Sequence, residues 1–125
     1  MNIDDYLFTY FSILEKTAGM IPTYDQVVLA DLQKHNQKFV DVAKKYDQEV
    51  FDRTVHQIFV ELVNEVVFKG NIGKDDIIIS NNTPMSFEIL QHIGDQQIWE
   101  AMKATQDQWD STPLTQFVKK YILNL

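Results

Sequence analysis

Between Thr23 and Lys69 the chain contains neither glycine nor proline. A stretch of that length without either backbone breaker is biased towards helix, and it allows one very long helix or two joined by a tight turn. The apolar pattern selects two. Val28, Leu32, His35, Phe39, Val42 and Tyr46 advance in steps of four and three and so share one helical face. Continuing in that register would bring Glu49 and Arg53 onto the same face, so the phase must shift, and Asp47 is placed to cap a new helix there. The pattern therefore predicts a helix from about Tyr24, opened by Thr23 and Gln26 at capping-box spacing, and a second over about 48–69, ended by Gly70. The unbroken alternative would leave a long apolar ridge that only a second copy of the chain could cover.

The second of these helices carries Phe51, Val55, Ile58, Phe59, Val60, Leu62, Val63, Val66 and Val67 over more than half its circumference. An arc that wide predicts packing on two sides, at the centre of the fold. Around it, Ile3, Tyr6, Leu7, Tyr10, Phe11, Ile13 and Leu14 mark a helix over 3–18 capped by Asn2. Thr83 before Pro84 opens another, Asp95 opens a third that runs to about Trp109, and Leu114, Phe117, Val118, Tyr121 and Leu125 stripe a last one. The expected fold is all-α: a compact bundle of five or six helices in one domain spanning residues 1–125. One short extended segment is allowed at Ile77–Ile79, where three isoleucines in a row favour a strand. A strand needs a partner, supplied by a local hairpin, by residues near Ile21, or by another chain.

A segment that invites a functional reading is VFKGNIGKDDIIISNN, residues 66–81. A phosphate-binding loop requires two glycines five apart, then lysine and a hydroxyl residue, between a strand and a helix. Here Gly70 and Gly73 are three apart, and Lys74 is followed by Asp75 and Asp76, carboxylates that would repel phosphate. The segment is an exposed turn.

Composition excludes further classes. No cysteine is present, which removes disulfides, thiol nucleophiles and cysteine-ligated zinc. The formal net charge is −7 and Arg53 is the one arginine, a combination unsuited to phosphate clamping or guanine readout, so no specific nucleic-acid partner is expected. No apolar run approaches the roughly 20 residues that cross a bilayer, and Asp4 and Asp5 stand where a secretory signal carries positive charge; no membrane partner and a cytoplasmic location are the expectation.

Chemistry-bearing residues are few. Each histidine has a carboxylate four residues earlier: Asp31 with His35, Asp52 with His56, Glu88 with His92. Glu88 and His92 fall at the rim of their apolar arc. His35 falls inside the stripe of its helix, and Asp52 and His56 inside the broad arc of theirs. An antiparallel hairpin turning at Asp47 would bring the two interior histidines within about one helical turn of each other in height. Such a polar layer is most simply structural; as an alternative, His35, Asp52 and His56 are the candidate metal ligands. Glu61 and Glu65 read as a solvated face. Lys34, Lys38 and Lys45 form the clearest basic stripe, interrupted by Asp41. Phe8 projects among Asp4, Ser12 and Glu15 and is the candidate interaction anchor. With no catalytic or cofactor signature, the sequence reads as a non-enzymatic protein–protein interaction module of the adaptor, regulator, inhibitor or immunity type, acting through an acidic surface with aromatic anchors, whose partner is another protein or a second copy. The alternative is a metal-binding or metal-dependent bundle.

Overall fold

The computed structural model describes residues 1–93, 95–105 and 114–122. Among them seven helices surround a small antiparallel sheet: α1 (Ile3–Met20), β1 (Thr23–Tyr24), α2 (Asp25–His35), α3 (Gln37–Lys44), α4 (Gln48–Asn64), β2 (Phe68–Ile72), β3 (Ile77–Asn82), α5 (Pro84–Gln91), α6 (Gln96–Thr105) and α7 (Leu114–Ile122). The expectation of an all-α bundle is thus corrected: the fold is mostly helical, with a three-stranded sheet in the order β1-β3-β2.

α1 begins where the sequence places it. The Asn2 side chain accepts a hydrogen bond from the Asp5 amide at 2.8 Å, and Asp4 and Asp5 occupy the first turn, at the positive end of the helix dipole. Its face of Tyr6, Tyr10, Ile13 and Leu14 is buried, and it packs against α2, α3, α4 and α5. The central position expected of the helix over 48–69 is therefore shared by α1.

The break at Asp47 is present: its carboxylate accepts from the Glu49 amide at 3.0 Å and starts α4. A second, unforeseen break falls at Asn36, which closes α2 and opens α3. Its backbone leaves the helical region (φ −120°, ψ 94°), its amide donates to Leu32 O at 2.9 Å, and its side chain accepts from the Phe39 amide at 3.0 Å. An asparagine side chain offers the backbone this alternative to helix without any glycine or proline. The break re-aims the chain. Phe39 and Val42 enter the core while His35 stays outside it.

α4 stops about five residues before the expected end, because Val66 adopts a left-handed conformation (φ 59°). Val66 N–H bonds Val63 O at 3.1 Å and Val67 N–H bonds Leu62 O at 2.9 Å, the pairing of a Schellman helix terminus. Gly70 is therefore no helix cap. It lies in β2, opposite Ile79, at a bulge, where a Cβ would stand 2.1 Å from Ile78 O. Only glycine lets the two strands approach there. The Gly73 N–H bonds Asp76 O at 2.8 Å and closes the hairpin loop, so that amide is not offered to a phosphate.

β3 finds two of the partners foreseen for the isoleucine run: β2 as a local hairpin, and Thr23–Tyr24, just after Ile21, on its other side. Ile77 and Ile79 point into the core and Ile78 outward, the two-residue alternation of a half-buried sheet. The Asp25 carboxylate accepts from the Ile77 amide at 3.1 Å and ties α2 to β3. Further on, Thr83 precedes Pro84 at the start of α5, and Asp95 accepts from the Gln97 amide at the start of α6, both as the sequence indicates. Trp109 and Leu125 lie outside the described residues.

Candidate interaction surface

The helix break at Asn36 makes a corner, and an open cleft flanks it on each side. The first lies between α1 and the α2–α3 corner and has a volume of about 420 Å³. Phe8, Phe11, Leu32 and Ile93 supply its apolar surface; Ser12, Glu15, His35 and Gln37 are at its polar margin. Phe11 is held rigidly, edge-on to Tyr10 (centroids 5.2 Å, 88°) and against Trp99 (4.4 Å, 54°). Trp99 is itself fixed by a 2.6 Å bond from its indole N–H to Ile93 O. These side chains form a wall that does not need to reorganise to receive a ligand.

Phe8 occupies a different setting from the fully outward one predicted. It is half-buried and packed against the core, with its ring facing the cleft and the Lys38 ammonium 4.5 Å from the ring centroid, a cation–π contact. Further along the same groove Lys16 pairs with Asp31 at 2.9 Å. The hydrogen bond from Lys16, with the charges of Lys16 and Lys34, holds the Asp31 carboxyl below the ordinary aspartate range against the opposing effect of burial.

The second cleft, about 430 Å³, lies between α3 and α4. Phe39 and Phe51, edge to face with centroids 5.4 Å apart, line it together with Val40 and Ala43, and Lys44, Gln48 and Asp52 stand around it.

The three candidate metal ligands are not brought together in the interior. His35, Asp52 and His56 are all solvent-exposed. His35 borders the first cleft, Asp52 the second, and His56 neither. The expected antiparallel polar layer required α2 to run unbroken to Asp47, and the corner at Asn36 removes that premise. Among the described residues no group of three or more histidine, aspartate or glutamate side chains is placed to hold a metal ion.

Two residues read from the sequence as solvated have structural partners. Glu61 accepts from the amides of Leu114 (2.9 Å) and Thr115 (3.0 Å) and from the Thr115 hydroxyl, and Glu65 pairs with Lys119 at 2.9 Å. Nothing local in the sequence of α4 announces these bonds to a helix some fifty residues away. The corner itself did have a signal, since Asn36 stands three residues before Phe39 at N-cap spacing.

Compared with protein-family models, curated proteins and solved structures, the chain matches none. Among the described residues no helix is long and apolar enough to cross a membrane.

Proposed function

We propose that the chain is a non-enzymatic protein-interaction module that receives its partner at the α2–α3 corner. One observation carries this reading: Phe8 and Phe11 line an open cleft, braced from behind by Tyr10 and Trp99, with a lysine ammonium over one ring. Preorganised aromatic surface beside a charged margin is the composition of an interface anchor. The cleft offers surfaces for binding, and among the described residues its margin holds no nucleophile hydrogen-bonded to a base. A regulator, inhibitor or adaptor uses such a site by occupying a partner's surface, and a second copy of the chain is the other candidate occupant.

The test is site-specific photo-crosslinking in the native host from a reactive residue placed at Gln37, on the cleft margin, and in parallel at Lys120, on α7. A single dominant adduct from position 37, lost on Phe8→Ala and absent from position 120, supports the reading. Adducts of equal yield from both positions, or none from position 37, refute it. The mass of the adduct separates a partner protein from a second copy.

A further inference from the structure

Charge is distributed unevenly along this acidic chain. Residues 34–45 hold four lysines, Lys34, Lys38, Lys44 and Lys45, against one aspartate, Asp41, a local balance of +3 within a total of −7, which leaves −10 for the remainder. The fold concentrates this segment at the corner between the two clefts. Lys45 is paired with Asp5 at 3.3 Å, but Lys34, Lys38 and Lys44 are exposed, and no carboxylate of the described residues lies within 4.0 Å of their ammonium groups. The nearest internal acid in sequence, Asp41, is instead engaged by the Gln37 amide at 2.8 Å. At the opposite end of the first cleft the balance is different, because Lys16 is already neutralised by Asp31 and Glu15 is exposed. Lys38, over the Phe8 ring, is thus the cation offered at the first cleft, while Lys34 acts on Asp31 and Glu15 stands exposed at the margin.

We infer that the element received at this corner is a short acidic segment of a partner protein that carries an apolar or aromatic side chain. This rests on the interaction-module reading above and specifies its partner. The apolar side chain enters between Phe8, Phe11 and Leu32, and a carboxylate beside it meets Lys38. Lys38 serves both parts at once, since its ammonium lies over the Phe8 ring at the place where ring and charge are offered together. A formal charge of −10 outside the segment works against an extended polyphosphate and so disfavours nucleic acid as the occupant. A short acidic segment carries few charges and engages Lys38 locally. A second copy carries the same −7, so its approach is opposed except where an acidic element, such as the Asp75–Asp76 turn, leads it.

The experiment uses the full chain, isotopically labelled, and three synthetic hexapeptides followed by NMR. One has Leu-Phe flanked by two glutamates on each side, one replaces Leu-Phe by Ser-Ser, and one replaces the glutamates by lysines. The first peptide is expected to shift the resonances of Phe8, Phe11, Leu32 and Lys38, with an affinity that falls as salt is raised. Lys38→Glu weakens it by about threefold or more, the effect of one exposed charge contact turned to repulsion. Lys38→Gln gives a smaller loss and guards against a misfolded charge-reversed variant. Equal binding of the serine peptide, equal binding of the lysine peptide, shifts elsewhere on the surface, or no binding of the first peptide each overturn the proposal. A crosslinked partner that persists undiminished in Lys38→Glu shows that the partner class is wrong while the module reading stands. Absence of both the crosslink and all peptide binding in the wild-type chain removes the two together. A wild-type chain whose solution mass doubles, with crosslinks to itself through the acidic turn, replaces the partner protein by a second copy.

Discussion

Glu61 on α4 and Thr115 on α7 are joined twice: the carboxylate accepts both the backbone N–H and the hydroxyl proton of Thr115. The Leu114 amide adds a third bond, so a side chain from one helix caps the first turn of another. Because the Thr115 hydroxyl donates to Glu61, it accepts from the Tyr10 phenol at 2.8 Å, and the chain of bonds runs from α1 through α7 to α4. Burial pushes the Glu61 carboxyl above the ordinary glutamate range, and the three donors pull against that shift without cancelling it.

Removing this cap is expected to release α7 before the rest of the fold. Glu61→Ala leaves two helix N-terminal amides and a buried hydroxyl without their acceptor and should cost about 2 kcal/mol. Glu61→Gln keeps one acceptor oxygen and should cost less. Chemical denaturation measures the loss, and hydrogen exchange should show lost protection in 114–122 ahead of α1. Equal protection in wild type and Glu61→Ala would mean that α7 is held by Leu114 and Val118 alone.

Acid sensitivity should come from the other end of α1. Burial raises the Asp5 carboxyl, but hydrogen bonds from Tyr46 (2.6 Å), Lys45 and Asn2, with the Lys45 charge, together hold it below its ordinary value of 3.8. A carboxyl lowered in the fold contributes stability that is fully present above its unfolded value and is lost as pH falls through the folded one. Melting of wild type and Asp5→Asn should therefore differ by a constant amount from neutral pH down to about pH 4, and the difference should shrink below it. Glu61 acts with the opposite sign, because its raised value means that stability is recovered as pH falls through it. A difference that grows with acid would contradict the assignment to Asp5.

The elements that the sequence revealed are those fixed by local chemistry. Asn2, Asp47, Thr83 and Asp95 each start a helix where capping grammar places them, and the Ile77–Ile79 run is a strand for the reason its composition gives. The sheet as a whole was hidden because Val66, Val67 and Phe68 extend the helical stripe of α4 without interruption. A β-branched residue in the left-handed region ends that helix, and no propensity scale anticipates such a choice. The cleft was legible only in part. Phe8 and His35 were singled out, but their meeting depends on the corner at Asn36 and on Trp99, which packs on Phe11 from the far end of the chain. Contacts of that sequence separation leave no periodic trace.

Exposure changes what is expected of the histidines. His56→Ala removes a side chain, and Asp52→Asn a charge, from the solvated face of α4, and each should change stability by no more than about 0.5 kcal/mol. Zinc or nickel added to the purified chain should leave its melting temperature and the His35 and His56 resonances in place. A metal-dependent rise in melting temperature that disappears in His56→Ala would restore the metal-binding alternative.

Val66, in the α4–β2 connection, and Gly70, within β2, should respond to substitution in opposite directions. At Gly70 an added Cβ meets backbone, 2.1 Å from Ile78 O, which cannot swing aside as a flexible side chain would. Gly70→Ala must therefore push β2 from β3 at the bulge and is expected to cost about 2–3 kcal/mol, with loss of exchange protection at Ile78 and Ile79. At Val66 the strain is already present: a β-branched residue holds φ 59° while its side chain is 54 % exposed and so returns little by burial. The turn persists because Thr83 donates its hydroxyl proton to the carbonyls of Val66 and Val67, at 2.9 and 2.7 Å, and because the Schellman bonds close behind it. Val66→Gly relieves about 1–2 kcal/mol of left-handed strain and adds about 0.5–1 kcal/mol of unfolded-chain entropy, so a net gain of about 0.5–1 kcal/mol is expected. Paired denaturation curves of the two variants decide the matter. A Val66→Gly variant less stable than wild type would mean that the valine side chain is gripped by a contact outweighing its backbone strain.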